Sequence, residues 1–226
     1  MTTIASRLQA VNARIEAAAR AVGREPSEVG LIAVSKTFPA ALILEAHQAG
    51  QSAFGENYVQ EGIEKIALLA GFPLQWSFVG PIQSNKTRLI AEHFDWVHSV
   101  SRLTIVERLA RSRPPHRPPL QICIQVNVSG EASKSGVAPE DAQALARAVA
   151  VLPGLQLRGL MAVPEPTPNT GVQRARFRLL REIRDDIVRQ GLPMDTLSMG
   201  MSDDLESAIA EGATLVRVGR AIFGPR

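Results

Sequence analysis

The stretch Leu31-Ile32-Ala33-Val34-Ser35-Lys36-Thr37-Phe38-Pro39 decides how this chain is read. Four apolar residues and a serine make a run of the length and composition of a buried strand. The turn that follows contains no glycine, so the phosphate-binding fingerprint of an open dinucleotide-binding sheet is missing. A helical pattern near 40–49 comes next, and strand, turn and helix together form a first βα unit.

Working outward, the same unit recurs. The strands predicted after 31–35 cover 52–54, 75–79, 96–100, 120–126, 157–162, 196–199 and 215–218. Helical segments are predicted near 40–49, 57–70, 84–93, 102–111, 138–151, 171–190 and 203–211. Ahead of them, Ile4, Leu8, Val11, Ile15, Ala18 and Val22 recur at helical spacing, with Gly23 as a stop. Eight strands alternating with helices in 226 residues fit a single-domain α/β protein, a (β/α)8 TIM barrel over 1–226 with an extra N-terminal helix. The last strand has no helix of its own, and the N-terminal helix is expected to fill that gap. An open doubly wound sheet is the alternative.

Composition narrows the function. A hydrophobic fraction of 45% with 21% charged residues is that of an ordinary globular domain. The net charge of +3 offers nucleic acid little unless it is focused on one face. The most basic segment, Arg174 to Arg184, reads as a solvated helix. Cys123, the single cysteine, lies in an apolar run as a buried thiol, so no disulfide within the chain and no four-cysteine metal site can form. No stretch approaches the ~20 apolar residues of a membrane span, and no signal core is present. The expectation is a cytoplasmic protein, without membrane or nucleic-acid partners and monomeric.

Only four lysines occur. Lys65 falls in a predicted amphipathic helix, and Lys86 and Lys134 fall in polar segments. Lys36 alone ends an apolar strand, where burial disfavours its charged form and frees the amine as a nucleophile of the Schiff-base type. The plain alternative is a strand-end lysine reaching for water. Lys134, in a serine-glycine loop, reads either as a secondary acceptor or as a solvated lysine.

Active sites of barrels form at strand C-termini, and those positions are rich in polar residues and glycine: Lys36, Gly55-Glu56-Asn57, Gly80, His98, Ser99, Asn127, Met161, Ser198 to Ser202, Arg217 and Gly219. The segment Ser198-Met199-Gly200-Met201-Ser202 leads into a helix, with Gly200 free to let backbone approach a ligand. Ser202 is expected to cap that helix, which is then an anion site; the alternative is plain capping, with Asp203 and Glu206 forming a capping box. Alternation in Val216-Arg217-Val218 sets Arg217 opposite its neighbours, inside the barrel or salt-bridged outside it. Two proline-rich loops complete the outline. Residues 113–119 read as a surface spacer, and residues 164–168, on the active-site side, as a wall, a lid or a connector. A reactive lysine, a phosphate cup and an interior arginine suit pyridoxal 5′-phosphate, whose ring nitrogen is partnered by Asp or Arg.

Ala33-Val34-Ser35-Lys36-Thr37, Phe54-Gly55-Glu56-Asn57-Tyr58 and Phe78-Val79-Gly80-Pro81-Ile82-Gln83-Ser84-Asn85-Lys86 resemble the pyridoxal phosphate homeostasis proteins. So do Gln125 to Glu131, Ser133 to Gly136, Gly159-Leu160-Met161, Leu197 to Asp204, Val216 to Gly219 and Ile222-Phe223-Gly224. The resemblance implies a barrel related to the N-terminal domain of alanine racemases, of the third fold type. It implies Lys36 as the Schiff-base lysine, Asn57 on the ring side, and Ser198, Gly200, Ser202 and Gly219 around the phosphate. Arg217 would face the pyridine nitrogen, and Met161 would pack nearby. Two positions depart from the family pattern: Ser77 stands where histidine is common, and Arg220 where Ser or Thr is common.

An arginine at the ring nitrogen weakens the electron sink, and racemisation needs a second acid–base group on the opposite face. The only tyrosine is Tyr58. The implied role is a carrier that buffers pyridoxal phosphate, influences amino-acid metabolism and serves pyridoxal-phosphate-dependent apoenzymes, without established catalysis. A weak amino-acid racemase is the alternative, and a cofactor-free Schiff-base aldolase the third reading.

Overall fold

The computed structural model describes residues 3–130 and 135–225; Lys134, with its reading as a secondary acceptor, lies outside the described residues. Eight strands, β1 Gly30–Val34, β2 Ala53–Glu56, β3 Gln75–Phe78, β4 Trp96–Val100, β5 Leu120–Gln125, β6 Leu155–Met161, β7 Thr196–Ser198 and β8 Leu215–Val218, pair in chain order into a closed parallel barrel. The pairing of β1 with β8, Gly30 on Leu215 through Ala33 on Val218, excludes the open sheet.

The helices are α1 Ile4–Ala21, α2 Ala40–Gln48, α3 Val59–Leu68, α4 Thr87–His93, α5 Leu103–Ser112, α6 Ala142–Ala150, α7 Thr170–Arg189, α8 Leu205–Ala210 and α9 Arg220–Phe223. Helix α1 starts at Thr3, whose hydroxyl accepts the Ser6 N–H. Its buried stripe, Ile4, Leu8, Val11, Ile15 and Ala19, seals the ring of helices against α2, α8 and α9. One expectation is corrected: the last strand does carry a helix of its own, the single turn α9. Ile222 and Phe223 are buried there, and the Phe223 ring stacks on Phe38 at 5.2 Å.

Strand alternation divides the core in two. Ala33, Phe54, Phe78, Val97, Ile122, Ile124, Leu160, Leu197, Val216 and Val218 face the helices and form one large apolar cluster. Trp96, Cys123 and Met161 form a small second cluster inside the barrel, with Leu215 against it. Burial pushes the Cys123 thiol up to about 12, so it stays an inert hydrophobe.

Two surface readings change. The 113–119 loop is no simple spacer, because Arg113 is buried and ties it down. Its guanidinium donates to the carbonyls of Ala91 (2.7 Å), Phe94 (2.8 Å) and Pro118 (2.8 Å). The basic face of α7 is organised as well as solvated: Arg174, Arg178 and Arg181 gather around the buried carboxylate of Glu211. Replacing Arg113 by Met keeps the stem and strands three carbonyls. Arg113→Met is expected to lower stability in urea unfolding by about 3 kcal/mol, since each buried acceptor left unpaired costs roughly 1–3 kcal/mol.

Candidate functional site

A cavity of about 950 Å³ opens at the C-terminal ends of the strands. Lys36, Asn57, Ser202, Arg217 and Gly219 line it, so the fold brings five of the eight expected site residues to one space. Pro166, Thr167 and Pro168 also line it, which makes the second proline-rich loop a wall. Ser198, Gly200 and Met161 are buried behind this lining.

Lys36 is half-buried at the second position of a tight turn, closed by the Phe38 N–H donating to Ser35 O at 3.1 Å. Thr37, third in the turn, has φ 68°, a left-handed conformation rare for a β-branched residue. Side-chain alternation sends Lys36 and Asn57 into the barrel, while their neighbours Ser35 and Glu56 face α3. There Lys65 Nζ meets Glu56 Oε1 (2.7 Å), Glu61 Oε1 (2.6 Å) and Ser35 O (2.8 Å). Ser35 Oγ donates to Glu56 Oε1 at 2.7 Å, and the Thr37 N–H donates to Glu61 Oε1 at 2.5 Å. Lys65 is thus the more deeply buried lysine, 5% exposed, although only Lys36 follows an apolar strand. Helical periodicity placed Lys65 on an amphipathic helix, with Glu61 one turn before it, but did not reveal that the barrel adds the Glu56 carboxylate and the Ser35 carbonyl.

Arg217 is buried within the barrel, 4% exposed at the cavity floor. Its guanidinium donates to Ser198 Oγ (2.7 Å) and Ala162 O (2.8 Å). Burial lowers its pKa to about 10, with Asp204 opposing the shift, and it remains charged at neutral pH. Arginine can only donate, so Ser198 Oγ accepts from it, and the same hydroxyl pairs with His98 Nδ1, 2.9 Å away. His98 Nε2 is buried and has no partner among the described residues. Burial first, then the neighbouring Arg217 charge, lower the His98 pKa to about 3. Ser198 is engaged by this relay, away from the cavity lining. His98 was visible as a strand-end residue, but its contact with a serine a hundred positions away was not.

The loop after β7 departs from the expected capping. Ser202 does not cap α8; Asp204 precedes the helix, and its Oδ1 accepts the Met201 N–H at 2.6 Å. Asp203 and Glu206 form no capping box. Each carboxylate turns to an arginine, Asp203 to Arg220 (2.5 Å) and Glu206 to Arg14 (2.8 Å). Arg220, the unusual residue after Gly219, thereby neutralises an acid at the cavity mouth. Burial raises the Asp204 carboxyl, and Arg217 partly offsets the shift. Gly200 has φ 94°, and a Cβ there would meet Ala208 Cβ at 2.6 Å. Close packing on α8 and a left-handed backbone both call for glycine here.

A closed eight-stranded barrel with a lysine ending its first strand and an arginine inside its last defines a class, and the comparisons agree. The family model described as "Alanine racemase, N-terminal domain" matches residues 6–226. The Pyridoxal phosphate homeostasis protein of Pseudomonas aeruginosa is 63% identical over 226 residues, covering 100% of this chain and 97% of that one. PipY of Synechococcus elongatus, solved without PLP, superposes with a TM-score of 0.88 at 40% identity, over 98% of this chain and 100% of its own. PipY solved with PLP bound gives a TM-score of 0.85 at 39% identity, with the same coverage. This chain belongs to the pyridoxal phosphate homeostasis protein family.

The interior histidine generates a pH prediction. A folded-state pKa near 3 against 6.5 means the unfolded chain takes up a proton that the folded chain refuses. Stability from this group is complete above pH 6.5 and falls as the pH drops toward 3, by roughly 1.4 kcal/mol per pH unit. His98→Gln, whose amide can pair with the Ser198 hydroxyl but does not titrate, should remove that slope. Urea unfolding of both proteins between about pH 7 and pH 5 checks it.

Proposed function

We propose that this protein binds pyridoxal 5′-phosphate through Lys36 and carries it, buffering a reactive aldehyde inside the cell. The observation that bears the reading is the meeting of Lys36, buried Arg217 and Asn57 at one cavity. Asn57 Oδ1 is buried there without a partner among the described residues, as expected of an atom shaped to meet a polar ligand. The family name of the relatives and the PLP held by PipY point to the same ligand.

Bound there, pyridoxal phosphate supplies an aldehyde for a primary amine and a dianion to be gripped. Lys36 is the amine, holding the group as a Schiff base. Ser202 and the backbone around Gly219 take the phosphate, with Gly200 and Ser198 shaping that loop from behind and Met161 packing beneath. Asp203 and Glu206 do not oppose it, because Arg220 and Arg14 occupy them. Arg217 carries a fixed positive charge to the ring end, held in place by Ser198 and by neutral His98. A charged arginine at that end keeps the ring nitrogen unprotonated and weakens carbanion stabilisation. Tyr58, the only tyrosine, is 55% exposed and outside the cavity lining, so it is not an opposing acid–base group. These features favour a carrier that hands its cargo to pyridoxal-phosphate-dependent apoenzymes over a racemase.

The test is spectroscopic. Purified protein mixed with pyridoxal phosphate should show a visible Schiff-base band, and borohydride should fix the adduct on Lys36 by mass spectrometry. Lys36→Ala should show neither; a band and adduct that persist would overturn the assignment. In deuterium oxide, the loaded protein should leave the α-hydrogen of L-amino acids in place. Exchange that depends on Lys36 would favour the enzyme instead.

A further inference from the structure

We propose that Glu61, held by Lys65, is a positioning residue that keeps the peptide after Lys36 flipped and thereby aims the Lys36 side chain into the cavity. The proposal rests on the carrier reading only for its ligand; the geometry stands without it. A four-residue turn with positive φ at its third position is the type that favours glycine or asparagine there. Here the third residue is Thr37 at φ 68°, whose branched side chain makes that conformation strained. Such a residue persists only when its surroundings over-determine it.

The surroundings do so at both ends of one peptide bond. Its N–H, on Thr37, donates to Glu61 Oε1 at 2.5 Å. Its carbonyl, on Lys36, accepts from Thr37 Oγ1 at 2.6 Å. The carboxylate of Glu61 is in turn fixed by Lys65, whose ammonium also grips Ser35 O, the carbonyl that closes the turn. Glu56 completes the unit through Lys65 and Ser35 Oγ. One ammonium between two carboxylates, nearly dry, therefore holds both strand ends whose next residues, Lys36 and Asn57, enter the cavity. Without Glu61 the middle peptide is free to rotate back and let Thr37 return to negative φ. That rotation changes the direction of the Lys36 side chain.

The strain makes the claim separable from a merely structural role. Glu61→Ala should weaken pyridoxal phosphate binding about tenfold, the scale of one strained residue. Glu61→Gln, which keeps an oxygen to accept the Thr37 N–H, should retain most of the binding. In a Thr37→Gly background, where positive φ is relaxed, Glu61→Ala should cost much less than it does with threonine present. Affinity by absorbance titration reads all of these proteins. A second readout needs no cofactor: competitive acetylation of the apo-protein, following Lys36 by mass spectrometry against Lys86 of the same molecule. Glu61→Ala should change the Lys36 to Lys86 labelling ratio, and Thr37→Gly should reduce that change. Equal labelling ratios in wild type and Glu61→Ala would overturn the proposal. So would a loss of binding on Glu61→Ala that is as large in the Thr37→Gly background as in the wild type. If the wild type binds no pyridoxal phosphate, the carrier reading fails, and the labelling ratios still decide the role of Glu61.

Discussion

Closure of the barrel between β1 and β8 is the constraint on which the site depends. Lys36 follows the first strand, and Arg217 and Gly219 belong to the end of the last. They share a cavity only because Gly30 through Ala33 pair in parallel with Leu215 through Val218. A parallel ladder aligns the C-terminal ends of its strands, so every residue that follows a strand reaches the same face. Helix α1 protects this seam from outside, with its apolar stripe against α2, α8 and α9.

Two buried cations lie on opposite sides of that barrel wall, and the protein accommodates them differently. Lys65, between wall and α3, meets two carboxylates and a carbonyl, so its charge is neutralised by ions. Desolvation raises the Glu56 carboxyl even so, with Lys65 and Ser35 opposing the shift. Arg217, inside the wall, meets a hydroxyl and a carbonyl, with Asp204 nearby as the carboxylate that supports its charge. A buried cation served mostly by neutral acceptors is costly in a bare protein. An anionic ligand in the adjoining cavity would offset that cost.

The same wall explains what could be read beforehand. Most strands were legible because their helix-facing residues are apolar, as Ile122 and Ile124, Val97, Val216 and Val218 are. Lys36, Asn57 and Arg217 were legible because polar residues at the ends of such strands have few other places to go. Ser202 lies at the cavity but does not cap α8, because the helix begins after Asp204, two residues further on. Lys65 and Arg113 look like surface residues in one dimension; each is buried because carbonyls or carboxylates from distant segments converge on it.

The sequence by itself determined the alternation of strands and helices, the lysine at the first strand end and the arginine in the last. These follow from local periodicity and from the aversion of apolar residues to water. Only the tertiary structure decided that Ser198 serves Arg217 and His98, that Asp203 and Glu206 turn to arginines, and that Lys65 and Glu61 brace the turn carrying Lys36. Those are contacts between charges and hydrogen-bonding groups far apart in the chain. Their partners are set by where the closed barrel brings them, which no local pattern encodes.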